Sequence, residues 1–239
     1  EASPLAPAAR THYGQVLYSA GRMGEAEVQL REALRLMDEQ GAERDGMRFA
    51  AASNLGRALK NLGRPEEAEK IFVGLLASGD EWVIHHSLAG TYQALGKKDL
   101  AEAEYRAGLR RKPGFVPALC DLGLLLAQTR RLDEAESLYR AALRFAPGSP
   151  RASYNLALAL LDRGKSAEGI EILEKLHRDF PENALPARAL IVAYAATGRG
   201  EAARRLGKDW PPEKLQADSY LPYSLEEKPG LMAPLYLQD

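Results

Sequence analysis

The sequence predicts an all-α fold, a right-handed α-solenoid (superhelix) of helix-turn-helix repeats, and three observations along its 239 residues support that prediction. Prolines recur every 34 residues, at Pro113, Pro147 and Pro181, and each closes a predicted helix. Small residues recur with nearly the same period at two other phases, and glycines lie between them. A period that keeps its phase over several repeats is the sequence signature of a stacked repeat architecture.

Two series of small residues mark the places where we expect helices to approach closely. One series, with intervals of 42, 33, 34 and 34 residues, is Gly14, Gly56, Ala89, Gly123 and Ala157. The other series is Ala26, Ala68, Ala101, Ala135, Gly169 and Ala203. Glycine inside a helix costs about 1 kcal/mol relative to alanine, so it needs a packing reason. A close contact between the two helices of a repeat supplies that reason.

A third series of glycines lies where the first helix of each repeat is predicted to end. Its members are Gly21, Gly63, Gly96, Gly164 and Gly198. Glycine readily adopts the left-handed conformation that ends many helices. In repeat four this position is Arg130, and a left-handed residue other than glycine costs about 1 to 2 kcal/mol. We therefore expect the turn at Arg130 either to carry strain or to differ in shape.

The pattern resembles the tetratricopeptide repeat, a helix-turn-helix unit of 34 residues with small residues at fixed phases and a closing proline. The resemblance covers about residues 7–208. Repeat four matches the family's signature phases most fully, with Leu119, Leu122, Gly123, Leu126, Ala135, Tyr139, Ala142 and Pro147. The resemblance implies that the first helices of successive repeats line a concave groove, and that the function of the chain lies in this groove.

The division of the chain follows from where the pattern stops. We expect a solenoid over residues 1–208, with repeats near 7–40, 49–81, 82–115, 116–149, 150–183 and 184–208. Residues 209–239 are rich in Pro, Leu and Tyr and form a separate C-terminal segment. We predict a short cap from Trp210 to about Asp218. We also predict that Leu231 to Leu237 fold into the apolar groove of repeats four to six, in the same or a neighbouring molecule.

Charge and hydropathy exclude several classes of partner. The formal net charge is -1 and the pI is near 6.5, so the chain has no general excess of Lys and Arg to attract nucleic acid or an anionic membrane surface. The apolar stretches are far shorter than the roughly 18 residues of a membrane span, so membrane insertion is not expected. The chain begins at Glu1 without Met, which leaves open both a cytoplasmic location and a processed or truncated product.

The residues that carry catalysis in other proteins are sparse. The single cysteine, Cys120, excludes an internal disulfide framework and a Cys-rich zinc site. The four histidines, His12, His85, His86 and His177, are not spaced as metal ligands or as members of a catalytic triad. We therefore expect no catalytic, cofactor or metal site, and we do not expect an enzyme.

The resemblance implies that phases 2, 5, 9 and 12 of each first helix face the groove. In repeats one to three these phases form a polar surface, with Arg57, Lys60 and His86 as candidate contacts. In repeats four to six they form a mainly apolar surface with cations, and the candidate contacts are Cys120, Leu124, Arg151, Tyr154, Leu158, Leu161 and Arg188. The sequence therefore predicts a partner-binding groove with two chemically different halves.

One subset of the family binds chaperone tails through a Lys, Asn, Asn, Lys, Arg pattern spread over three repeats. The corresponding residues here keep one Asn of the five, and they are Thr11, Gln15, Asn54, Val83 and Ser87. A chaperone tail is therefore not the expected partner.

These observations favour a protein-protein interaction scaffold, or adaptor, that holds a peptide or partner segment in its groove. The alternative is the targeting or substrate-recruiting arm of a larger enzyme, such as a glycosyltransferase or a hydroxylase, whose catalytic domain is not in this chain. A third interpretation is self-association, through the repeat surfaces or the C-terminal tail.

Overall fold

The computed structural model describes residues 6–40, 46–79 and 81–210, and the regular elements in these ranges are α-helices. Their bounds are α1 Pro7–Ser19, α2 Met23–Glu39, α3 Gly46–Asn61, α4 Pro65–Ser78, α5 Trp82–Ala94, α6 Lys98–Arg111, α7 Val116–Gln128, α8 Leu132–Phe145, α9 Pro150–Asp162, α10 Ser166–Asp179, α11 Ala184–Ala196 and α12 Gly200–Asp209. The prediction of an all-α fold built from helix-turn-helix repeats is confirmed.

The helices group into two compact units, Glu1–Pro113 (unit 1) and Gly114–Asp239 (unit 2). In each unit, odd-numbered helices are the first helices of their repeats and even-numbered helices are the second. Each first helix packs against the second helix of its own repeat and against the neighbouring first helix of the unit. The first helices of a unit therefore lie side by side. We call the surface formed by α1, α3 and α5, or by α7, α9 and α11, the first-helix face of its unit.

The turns between paired helices have the predicted left-handed residue. Gly63 and Gly164 have φ of 75° and 77°. In both turns the N–H of the residue after the glycine donates to a carbonyl oxygen in the last turn of the first helix, as in Arg64 N–H to Leu59 O at 2.9 Å. Arg130 has φ of 62°, and Arg131 N–H donates to Leu126 O at the same 2.9 Å. The turn at Arg130 thus keeps the glycine shape and carries the strain of a left-handed side-chain residue.

The small residues lie where a larger side chain of the paired helix crosses them. A Cβ at Gly56 would lie 2.7 Å from Phe72 Cζ, and a Cβ at Gly123 would lie 2.5 Å from Tyr139 Cε1. Real Cβ atoms do not approach other heavy atoms so closely, so glycine is required unless the aromatic ring moves. The packing reason predicted for these glycines is confirmed.

A cation occupies the N-cap position of each second helix in the described ranges: Arg22, Arg64, Lys97, Arg131, Lys165 and Arg199. A cation at the positive end of a helix dipole is unfavourable unless acids offset it. Arg64 donates to Glu67 in the same turn at 2.6 Å and to Glu27 of the preceding repeat at 2.8 Å. Lys165 likewise reaches Glu136 of the preceding repeat at 3.1 Å. These pairs help to fix the register of successive repeats.

Candidate partner-binding surfaces

Two residues predicted to contact a partner are buried in unit 2. Cys120 on α7 is fully buried, and Tyr154 on α9 is 4% exposed. Tyr154 belongs to a hydrophobic cluster that includes Ala189 and Ala193 of α11, whose short side chains leave space for its ring. The expectation that Cys120 and Tyr154 line an open groove is therefore corrected, because both are core residues.

Burial also determines the chemistry of Cys120. It raises the pKa of the thiol to about 11, and the nearby charge of Arg151 offsets this only in part. A thiol with such a pKa is protonated at neutral pH, whereas the thiolate is the nucleophile and metal ligand. Cys120 thus contributes packing rather than reactivity.

Apolar side chains still reach the surface of the unit 2 first-helix face. Leu124 on α7, Leu158 and Leu161 on α9, and Val192 on α11 are half-buried. Leu158 and Leu161 rest against the edge of the hydrophobic cluster formed by α9, α10 and α11. We call these four residues, on the three first helices of the unit, the apolar surface of unit 2, and the Leu161 side chain also packs against Gly169 of α10.

Polar groups border this apolar surface. Arg151 on α9 forms an ion pair with Asp121 on α7. Arg188 on α11 is exposed and lies near the Tyr154 hydroxyl, while burial raises the pKa of that hydroxyl. Asn155 is 5% exposed, and its Nδ2 makes no hydrogen bond with the described residues. Leaving a buried donor unbonded costs about 1 to 3 kcal/mol, so this amide is a natural place for an additional acceptor.

The first-helix face of unit 1 is polar, as predicted. The Arg57 guanidinium on α3 lies 4.4 Å above the centre of the Tyr18 ring on α1. The Tyr18 hydroxyl accepts a hydrogen bond from Asn61 Nδ2 at 3.2 Å, so the ring beneath the guanidinium is itself held in place. Stacking on a ring leaves the edge of a guanidinium able to donate to a carboxylate.

A notch in this face lies at Gly90 of α5. A Cβ at Gly90 would lie 3.5 Å from Lys60 Nζ and 3.9 Å from the Tyr105 hydroxyl oxygen. The Tyr105 hydroxyl hydrogen-bonds with Gln93 Oε1, and its ring centre is 5.7 Å from that of His86. We call Lys60, His86, Gly90, Gln93 and Tyr105 the Gly90 cluster. Of the predicted contacts, Lys60 thus lies beside Gly90, and His86 lies against the Tyr105 ring of the same cluster.

Sequence reasoning missed two members of this cluster. Gly90 is at phase 9 of its repeat, so the groove phases contained the information needed to find it. Tyr105 is on α6, a second helix, and only 2% of it is exposed. No groove-phase rule applied to first helices could have identified it, because its hydroxyl reaches the cluster from beneath.

A histidine-carboxylate pair occurs where the sequence spacing had not suggested one. His85 Nδ1 on α5 lies 2.6 Å from Glu104 Oε2 on α6. His85 also lines an open cleft of about 610 Å3 together with Leu76, Ala107, Arg110 and Arg111. None of these lining residues is a nucleophile, so the pair does not form part of a nucleophile-base-acid arrangement within the cleft.

In residues 6–40, 46–79 and 81–210, no group of three or more His, Cys, Asp and Glu side chains could hold a metal ion. No helix in these ranges is long and apolar enough to cross a membrane.

Family comparison agrees with the repeat pattern. Models described as tetratricopeptide repeat match residues 49–78, 87–150 and 154–220, which is more than half of the chain. The chain belongs to the tetratricopeptide repeat family. Proteins of this family are generally non-catalytic scaffolds, and their fold implies that they interact with other proteins. A search of curated protein sequences gives no match.

Solved structures with the same fold are related to the chain at low identity. A tetratricopeptide repeat protein from Parabacteroides merdae is 23% identical with a TM-score of 0.68, over 84% of this chain and 77% of that one. Pseudomonas aeruginosa pilF is 16% identical with a TM-score of 0.70, over 88% and 95%. YrrB, described as a TPR protein with an unusual peptide-binding site, is 22% identical with a TM-score of 0.56, over 75% and 89%. These likenesses establish the fold.

The C-terminal predictions lie outside the described residues. The structure describes α12 and Trp210, and the cap to Asp218 and the Leu231 to Leu237 stretch come after them. The division into a solenoid over 1–208 and a separate segment over 209–239 therefore stays a prediction.

Proposed function

We propose that this scaffold binds a segment of a partner protein along its first-helix faces, with the half-buried leucines of unit 2 as the apolar contact surface. The observation that carries the proposal is the group Leu124, Leu158 and Leu161, which lies on neighbouring first helices. Isolated apolar residues are ordinary on a protein surface, whereas adjacent ones rimmed by polar groups are typical of interaction sites. Arg151 and Arg188 supply that rim.

The proposed contact set follows from exposure. It consists of Arg57, Lys60 and His86 in unit 1, and of Leu124, Arg151, Leu158, Leu161 and Arg188 in unit 2. Cys120 and Tyr154 support the unit 2 surface from within the core. Apolar anchors combined with a few hydrogen bonds are the usual means of recognising a helical or extended peptide.

One structural neighbour gives this proposal a precedent in the same fold. YrrB is described as having an unusual peptide-binding site. We extend peptide binding from that protein to this chain on the basis of the half-buried leucines, because an identity of 22% is evidence for the fold alone.

The test is a pull-down with the full chain from a lysate of its source, read by mass spectrometry. The variant Leu124→Arg with Leu158→Glu places two charges on the proposed surface and leaves the net charge unchanged. We expect it to reduce the captured amount of a specific partner by about tenfold or more, as the loss of a central apolar contact does in other interfaces.

A matched control places the same charges on second helices. Ser137 on α8 and Ala167 on α10 are exposed, so Ser137→Arg with Ala167→Glu, which also leaves the net charge unchanged, should capture the partner as the unmodified chain does. Equal capture by the Leu124→Arg, Leu158→Glu variant and the unmodified chain would show that the wrong surface has been chosen.

The other two interpretations also lead to measurements. Self-association predicts a mass that rises with concentration in light scattering, and the loss of that rise when residues 211–239 are removed. A targeting arm of a larger enzyme predicts a catalytic domain in the same reading frame, which the full gene sequence would reveal. Both stay predictions.

A further inference from the structure

The charges of unit 1 are segregated between its two kinds of helix. The first helices α1, α3 and α5 contain no Asp or Glu, but they contain Arg10, Arg48, Arg57 and Lys60. The acids of the described helices of this unit are all on α2, α4 and α6. Arg48 is paired with Asp38 of α2 and Arg10 donates to Gln29 of α2, so Arg57 and Lys60 are the cations that give the first-helix face its positive charge, although the whole chain has a formal net charge of -1.

Two of these cations make no ion pair with the described part of the chain. Arg57 donates a long hydrogen bond of 3.4 Å to Asn54 Oδ1 and stacks on Tyr18. Lys60 is half-buried with its Nζ beside Gly90. By contrast, Arg31 and Arg64, which belong to the second-helix side, each contact two glutamates. Arg57 and Lys60 are thus the cations of this unit that an acidic ligand could neutralise at the first-helix face.

The shape of the face supplies a second, independent observation. A glycine at a groove phase removes the side chain that would otherwise cover Lys60, and the Cβ distances of 3.5 and 3.9 Å show that the space at Gly90 is open. The Tyr105 hydroxyl oxygen lies at the edge of the same notch, and the His86 ring packs against the Tyr105 ring. The Tyr105 hydroxyl already donates to Gln93 Oε1, so the Lys60 ammonium beside the open notch is the donor suited to a carboxylate.

We propose that the Gly90 cluster, with Arg57 beside it, binds a carboxylate of an acidic segment of the partner. The inference deepens the proposed function and rests on it, since it names the chemistry of the segment that crosses unit 1. Lys60 donates to the carboxylate in the notch, and Arg57 pairs with a neighbouring acid of the same segment. Charge complementarity selects the acidic segment and the notch selects a small planar group.

A protein segment fits this site better than a nucleic acid. A phosphate backbone is bound by many cations that follow its length, and its affinity depends on their number. This face offers two cations without an ion pair, and the second helices of the same unit carry many acids that would repel an extended polyanion. A short acidic stretch needs only the two.

The probe is a fluorescein-labelled decapeptide of alternating Glu and Gly, compared with its Gln and Gly analogue, and binding to the full chain is followed by fluorescence anisotropy. Neither peptide has apolar anchors, so the measurement reads the cationic site and not the leucines of unit 2. We expect the acidic peptide to bind at least about tenfold more tightly than the amide peptide. Its affinity should fall severalfold between about 50 and 300 mM salt, because the pairs are partly exposed.

Two variants test the site itself. Lys60→Gln should weaken binding of the acidic peptide about fivefold or more, whereas Lys70→Gln, which removes an exposed cation from α4, should leave it unchanged. Gly90→Leu should fill the notch and abolish binding. Gly74→Leu is its matched control, because a Cβ at Gly74 on α4 meets nothing within 4 Å. If circular dichroism shows that Gly90→Leu is unfolded, Gly90→Met replaces it, because its unbranched, flexible side chain also extends beyond the methyl group for which the notch has space.

Four outcomes would overturn the inference: no binding of the acidic peptide up to about 1 mM, equal binding of the two peptides, unchanged binding by Lys60→Gln and the folded Gly90 variant, or an equal loss in Lys70→Gln. The Leu124→Arg, Leu158→Glu variant should bind the acidic peptide normally. Failure of the apolar surface and failure of the acidic site are therefore separate results.

Discussion

The first-helix faces of the two units are built on the same repeat pattern but differ in chemistry, because the face of unit 1 is polar and that of unit 2 is mainly apolar. At phase 5, unit 1 has the half-buried Ser53 and His86 beside one buried residue, Thr11, whereas unit 2 has the buried Cys120 and Tyr154 beside one exposed residue, Arg188. At phase 9, unit 1 has Arg57 and the open Gly90, whereas unit 2 has Leu124 and Leu158. The comparison shows that the repeat phase specifies the direction of a side chain, and that the neighbouring helix decides whether that direction leads to solvent.

The cause is the size of the residues on the adjacent helix. Tyr154 on α9 is covered because α11 offers Ala189 and Ala193 beside it. In unit 1 the helix beside α3 is α5, and at the phase of Ala189 it has Ser87, which is half-buried and hydrogen-bonds to its own helix at Val83 O. The phase 5 residue of α3, Ser53, is half-buried. An apolar ring with a small apolar neighbour moves into the core, whereas a polar residue with a polar neighbour stays at the surface.

The largest effect should come from removing the buried ring of unit 2. Tyr154→Ala should lower the free energy of unfolding by about 3 to 5 kcal/mol, because it leaves a cavity among α9, α10 and α11. His86→Ala, at the same phase in unit 1, should cost less than about 1 kcal/mol. Urea denaturation of both variants measures the difference, and equal losses would contradict the contrast between a closed and an open face.

A smaller effect should come from the ion pairs of unit 2. Burial alone would raise the pKa of Glu136, but hydrogen bonds from Arg140, Lys165 and Arg163 lower it from the ordinary 4.5 to about 2. Since the pKa is lower in the folded state, the ionised group stabilises the protein above pH 4.5, and this contribution is lost as the pH falls towards 2. Glu136→Gln should therefore cost about 2 kcal/mol at pH 7.

The same variant should cost progressively less as the solution is acidified below pH 4.5. Urea denaturation at pH 7 and at pH 3 measures this, with Glu168→Gln as a control at a more exposed acid that Arg140 also contacts. A difference between Glu136→Gln and the unmodified chain that stays constant with pH would contradict the lowered pKa.

Substitution of glycines at different phases should change the stability of the protein in opposite directions. Gly123→Val in unit 2 should destabilise by about 1 to 3 kcal/mol, because its Cβ would overlap the Tyr139 ring. Gly90→Ala in unit 1 should stabilise by up to about 1 kcal/mol, because the notch has space for a methyl group and alanine favours the helix. Melting temperatures provide the measurement, and a loss of stability in Gly90→Ala would show that the notch is not open.

The smallest effect is expected at the turn of repeat four. Arg130→Gly should stabilise by about 1 kcal/mol, because glycine adopts the φ of 62° without strain. The ion pair of Arg130 with Asp162 at 3.3 Å is lost, but exposed pairs of this kind contribute little. Gly164→Ala, at the equivalent turn of repeat five, should destabilise by a similar amount. A change of the same sign in both would contradict the shared left-handed turn.

Much of the fold could be predicted from the sequence because its determinants are local. The prolines, the turn glycines and the small residues each restrict the backbone or the helix contact at their own positions, so their spacing defined helix-turn-helix pairs. The close approach at Gly123 could be anticipated for the same reason, since glycine within a helix requires a neighbour that needs the space. The polar and cationic character of the unit 1 face could be predicted from the residue types at the groove phases of its first helices.

The candidate site was only partly predictable, because exposure depends on pairs of residues that are distant in sequence. Cys120 and Tyr154 had the correct phase for a surface, and packing against other helices buried them. Tyr105 had the wrong phase, and its length brought its hydroxyl to the Gly90 notch. The sequence by itself determined where helices begin, turn and touch, because backbone conformation is a local property. The tertiary structure decided which side chains meet solvent, because burial is set by the volume that neighbouring helices leave free.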